Sequence, residues 1–109
     1  MSQSHYDCPC MDKCPLHHAM SLIGGKWKVQ ILCAVHNAGS IRYNALRSKL
    51  DGISNTVLAS ALRELERDGL VTRREYLEVP VRVEYSPTED CRELLPILEQ
   101  LSDWAEKRM

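Results

Sequence analysis

The residues best able to do chemistry crowd the start of the chain, in the run Cys8-x-Cys10-x3-Cys14-x2-His17-His18. Three thiols and an imidazole match the donor set of a tetrahedral zinc site, but the spacing lacks the two-residue knuckle usual in such sites. No metal or other cofactor is therefore expected, and zinc at Cys8, Cys10, Cys14 and His17 remains the alternative. Cys14 has a second chemistry open to it. The thiolate is the reactive form of cysteine, and a helix N-terminus stabilises negative charge. Pro15 suits the first position of a helix, so Cys14 falls at the cap, with Lys13 beside it and His17 a turn further on. Two readings fit: a redox-active thiol, or a helix-start cysteine packed on the core. Oxidation would yield a sulfenic acid, a mixed disulfide, or a bridge to Cys8, Cys10 or a second subunit. Cys33, in mid-helix, reads as core filler, and Cys91 is ambiguous.

A second constellation lies mid-chain, in the stretch from Ser54 to Gly69. Ser54 can cap a helix and Gly69 can end it. Val57, Leu58, Ala61, Leu62 and Leu65 share one side at helical spacing and predict a buried face. The other side carries Asn55, Thr56, Ala59, Ser60 and Arg63. Short polar residues at the leading end allow close approach to a DNA groove, and Asn, Ser, Thr and Arg supply donors and acceptors for base edges and phosphates. Ser54, Asn55, Thr56, Ser60 and Arg63 are thus candidate groove contacts. Arg74 and Arg82 are candidates for phosphate or the minor groove, and Arg42, Arg47 and Lys49 for the DNA backbone.

The elements around that helix must position it. Residues 1–13 are polar and aperiodic, which predicts an N-terminal arm followed by a single domain at 14–109. Leu16, Ala19, Met20 and Ile23 define the buried stripe of a first helix, ended by Gly24-Gly25. A second helix, about Lys26 to Asn37, should bury Trp27, Ile31, Leu32, Ala34 and Val35. Ile41 to Tyr43 is a short extended piece. Asn44 can then cap a third helix, about Ala45 to Leu50, with Leu46 and Leu50 inward. A tight turn at Asp51-Gly52-Ile53 leads into the Ser54 helix, which makes a helix-turn-helix. Leu70 to Leu77 and Val81 to Ser86 are β-prone runs around Glu78-Val79-Pro80 and form a hairpin in the position of a wing. Thr88 caps a last helix reaching about Arg108, with a wide apolar face and a kink or the local loss of one backbone hydrogen bond expected at Pro96. The fold class is mainly α with a small β-hairpin wing: a winged helix-turn-helix with extra N- and C-terminal helices for dimerisation. Leu16, Met20 and Ile23 of the first helix and Leu94, Leu98, Leu101 and Trp104 of the last are the candidate dimer interface. Pairing them across a two-fold would set two recognition helices about one DNA turn apart, ~34 Å.

The 109 residues suit one domain with a core of its own. The net charge of −1 conceals an asymmetry: residues 1–40 sum to +1, residues 41–82 to +2 and residues 83–109 to −4. Near neutrality argues against a purely electrostatic nucleic-acid binder, while leaving room for a cationic surface in the middle third. Five cysteines in a chain without a secretory or membrane-spanning segment point to the cytoplasm and away from a disulfide framework. No phosphate loop, nucleophile elbow or C-x-x-C pair is present, so an enzyme is not expected.

Several motifs resemble a known family: Cys14-Pro15-Leu16, Ile23-Gly24-Gly25-Lys26-Trp27, Gly52-Ile53-Ser54, Leu62-Arg63-Glu64-Leu65-Glu66, Asp68-Gly69-Leu70-Val71 and Val83-Glu84-Tyr85-Ser86. In order and spacing they are similar to the HxlR-type, MarR-like winged-helix transcriptional regulators, over residues 14 to about 105. The resemblance implies a homodimer on a pseudo-palindromic double-stranded operator, and a cysteine at the place of Cys14 that often reports oxidants or electrophiles. Thr56 stands where the family often has Lys, Cys91 where it usually has Gly, and Cys8 and Cys10 lie outside the usual pattern. A winged helix that binds protein, or a zinc-thiolate regulator without redox sensing, is the alternative function.

Overall fold

A computed structural model describes residues 14–109; the expected arm at 1–13, with Cys8 and Cys10, lies outside the described residues. Cys14 is the N-cap of α1 (Pro15–Ile23), with Pro15 in its first turn. There follow α2 (Lys28–Ala38), β1 (Ile41–Arg42), α3 (Tyr43–Ser48), α4 (Asn55–Arg67), β2 (Val71–Tyr76), β3 (Arg82–Pro87) and α5 (Glu89–Glu106). Ser54 accepts a hydrogen bond from the Val57 N–H at 3.1 Å, which fixes where α4 begins. Asp68 is its C-cap, and Gly69 takes φ 79°, a conformation costly for any residue with a Cβ. The helix-turn-helix turn likewise rests on Gly52, at φ 86°.

The core lies between α2, α3, α4 and the start of α5. Ile31, Leu32, Leu46, Leu58, Leu62 and Leu65 are fully buried there. Side chains of this kind each stabilise the fold by about 1.5–3 kcal/mol on burial. The expected extended piece at Ile41 is a true strand. It pairs antiparallel with β3, so the sheet has three strands in the order β1-β3-β2. Ile41 and Tyr85, opposite one another across β1 and β3, are both buried and seal the sheet onto the helices. Thr88 ties the start of α5 to the end of α4. Its hydroxyl donates to the Gly69 carbonyl at 2.7 Å and accepts from the Cys91 N–H at 3.2 Å.

Several local expectations are corrected. Asn44 lies within α3, whose N-cap is Arg42, because β1 runs into the helix without a connecting loop. Leu50 is buried although α3 ends at Ser48. Trp27 is the N-cap of α2 and is half-buried, since the turn after α1 uses Gly25 to Trp27. Val57 is exposed rather than buried, because it lines an open groove with Trp27, Lys28 and Ser60 instead of packing into the core. No residue of α1 is fully buried, and Leu16 and Met20 face solvent in the protomer. α5 ends at Glu106, short of the expected Arg108, and carries Pro96 inside it, where the ring leaves no N–H to donate. No described helix is long and apolar enough to cross a membrane.

Candidate nucleic-acid interface

The leading turns of α4 project an edge of small polar side chains. Asn55, Thr56 and Arg63 are exposed and Ser60 is half-buried, while Leu58, Ala61, Leu62 and Leu65 hold the opposite side in the core. Ser54 is exposed, with one lone pair committed to capping. The Tyr43 hydroxyl lies 3.1 Å from Asn55 Oδ1 and 3.3 Å from the Asn55 carbonyl, so α3 braces the front of the recognition helix. Behind it, Lys28 Nζ on α2 meets Glu64 Oε1 at 2.6 Å. That hydrogen bond, and then the ammonium charge, hold the Glu64 carboxyl below its usual range. Arg67 does the same for Asp68 at the end of α4, through a two-pronged contact at 3.1 and 3.2 Å. The two ion pairs leave Arg63 as the unengaged long cation of α4 among the described residues.

The other cations fall into two sets. Arg47 and Lys49, on and just after α3, are exposed and form no ion pair among the described residues. Arg42, Arg74 and Arg82 lie on the sheet. Arg74 is exposed, its guanidinium 5.1 Å from the centre of the Tyr76 ring. Arg82, a candidate for phosphate or the minor groove, is 23% exposed at its side chain. It stacks 4.0 Å over Tyr76 and lies 3.2 Å from both Glu78 and Glu84. Arg42 lies 3.9 Å from Glu84. Sequence reasoning missed Lys28, Tyr43 and Glu84, since nothing in local spacing announces a partner on another element. The one available signal was the alternation of β3, which puts Arg82, Glu84 and Ser86 on one face.

The thiols separate as well. Cys14 is 6% exposed and Cys91 fully buried. Burial pushes the Cys91 thiol up, with a smaller push from Cys33. Burial also raises Cys33, and Glu99 adds to it, so both are poor nucleophiles near neutral pH. No cluster of three or more His, Cys, Asp or Glu side chains suited to a metal occurs among the described residues. Of the expected interface residues, Leu98 is buried in its own protomer, and Ile23 and Leu94 pack partly against the core. Leu16, Met20, Leu101 and Trp104 are exposed, as is Ile97.

A capped reading helix braced by a preceding helix and flanked by a three-stranded sheet with arginines defines a winged helix-turn-helix transcriptional regulator. Residues 22–109 match the model of the HxlR-like helix-turn-helix family, and the chain belongs to that family. An uncharacterised HTH-type transcriptional regulator of Halalkalibacterium halodurans, BH0655, is 46% identical over 93 residues, covering 85% of this chain and 82% of its own. A MarR-family regulator from Porphyromonas gingivalis W83 superposes with a TM-score of 0.84 at 32% identity, over 91% of this chain and 96% of its own. The redox regulator HypR in its oxidised form superposes with a TM-score of 0.78 at 41% identity, over 86% of this chain and 96% of its own.

Proposed function

We propose that the protein works in the cytoplasm as a homodimer on a pseudo-palindromic DNA operator, and that it regulates by binding, without catalytic turnover. The observation that carries this reading is the exposed polar edge of α4. Asn55, Thr56 and Arg63 face solvent while Leu58, Ala61, Leu62 and Leu65 on the opposite side of the helix are buried. Small groups at the tip and one long cation two turns back suit insertion into a major groove. Arg42, Arg47 and Lys49 are exposed on β1 and on and after α3, which suits them to contacts with phosphates.

Pairing through α1 and α5 fits the apolar side chains that the protomer leaves in solvent, Leu16, Met20, Leu101 and Trp104. Cys14 stands at the N-cap of α1, within that proposed seam. Oxidation there would add a polar group or a bond at the start of a dimer helix and so alter the spacing of the reading helices. The likeness to a redox regulator supports this part of the reading.

The test is a footprint of the protein on the DNA upstream of its own gene, with anisotropy titrations at several salt concentrations. Binding should weaken steeply with salt, as phosphate neutralisation requires. Oxidant should change the affinity of the wild type and leave Cys14→Ser unaffected. A monomer mass at micromolar concentration together with salt-insensitive binding would overturn the assignment.

A further inference from the structure

Strand register places a carboxylate at the middle of the wing's cations. Glu84 on β3 lies directly opposite Arg42 on β1 and Arg74 on β2. Arg82, two residues along β3, shares that face, as does Tyr76 opposite it. The neighbouring register carries Ile41 and Tyr85 to the buried side, so the charged group occupies the outer face of the sheet. Glu84 accepts a hydrogen bond from Ser40 Oγ at 3.0 Å through one oxygen. Its other oxygen lies 3.2 Å from Arg82 Nε and 3.9 Å from Arg42 Nε. Arg82 Nε is buried without a directional hydrogen bond, so this contact holds it by charge.

An acid among DNA-facing cations lowers affinity for any duplex, because it cancels charge that would otherwise release counterions. It also removes rotamer freedom from long side chains before binding, so less ordering is left for the complex to impose. From this arrangement we propose that Glu84 is a positioning residue for DNA recognition. It holds Arg82 in a fixed place, draws Arg42 towards the same oxygen, and trades general affinity for discrimination between sequences. The proposal rests on the DNA-binding reading above.

The test uses the full chain, a duplex carrying its own footprint, and a shuffled duplex of equal length and composition. Glu84→Gln keeps the shape and an acceptor for Ser40. It should bind the shuffled duplex about threefold more tightly, with a salt dependence steeper by about one released counterion. The preference for the footprint duplex over the shuffled one should fall about tenfold. Ser40→Ala retains every charge and only loosens the carboxylate. Its salt dependence should match the wild type while its preference falls about threefold. A loss of affinity equal on both duplexes, with unchanged salt dependence, would mean that Glu84 only stabilises the wing. An unchanged preference in both variants would also overturn the proposal. If the wild type shows no salt-dependent binding to either duplex, the DNA reading itself fails and the proposal falls with it.

Discussion

Single side chains divide sharply between reading and bracing. Arg63 is exposed and forms no ion pair among the described residues, whereas Arg67, four residues on, is spent on Asp68. Arg63→Ala should therefore weaken operator binding by about 1–3 kcal/mol if its guanidinium reads a base. Anisotropy at fixed salt measures this, and unchanged affinity would remove Arg63 from the interface. Glu64 makes a different prediction. Lys28 holds its folded-state pKa below the unfolded value, so the pair stabilises the fold above the usual carboxylate range. That contribution is lost as pH falls through the lowered pKa. Glu64→Gln should melt below the wild type at neutral pH, and the gap should shrink as pH drops below about 4. A gap independent of pH would detach Glu64 from Lys28 energetically. Spacing within one helix singled out Arg63, while the partner of Glu64 sits on α2 and Glu84 reaches across to Arg42 on β1. Roles that depend on a contact across the fold were therefore hidden where roles set by helical phase were plain.

Elements were readable where their own residues end them. Ser54 and Gly69 bracket the reading helix and Thr88 opens α5, each through bonding or backbone freedom belonging to the residue itself. Asn44 misled because a good capping residue loses its role when a strand delivers the chain straight into the helix. The stripe on α1 has true helical spacing, but spacing cannot say whether a face meets the protomer's own core or something outside it. Removing a terminator should be costly. Gly69→Ala forces a Cβ into a left-handed conformation with nothing else nearby to clash, and should destabilise the domain by about 1–2 kcal/mol. Ser54→Ala should cost about 1 kcal/mol through the lost cap. Denaturant melts would measure both, and equal stability in either variant would show that the end is set by packing alone.

At the level of the whole molecule, apolar surface is distributed unevenly. Apart from Val57 on α4 and Leu77, Val79 and Val81 at the tip between β2 and β3, the reading side exposes charge and small polar groups, whereas α1 and α5 leave Met20, Ile97, Leu101 and Trp104 in solvent. Leu101→Glu places a charge on that surface without disturbing the protomer core. It should shift the protein from dimer to monomer by sedimentation velocity and weaken operator binding, while the isolated fold persists by circular dichroism. A Leu101→Glu protein that stays dimeric would move the subunit contact elsewhere. The Thr88 clasp gives this geometry a further meaning. α5 has 18 residues, about 27 Å of helix. Its first turn is fastened to the back of the reading helix through Gly69, with the Thr88 N–H also bonded to the Leu70 carbonyl at 3.3 Å. A rod pinned so close to its root has no slack joint. In the proposed dimer, a few degrees of tilt imposed at its distant tip would reach the reading helix as a turn of the same sense, so a small disturbance between subunits would become a misfit at the groove.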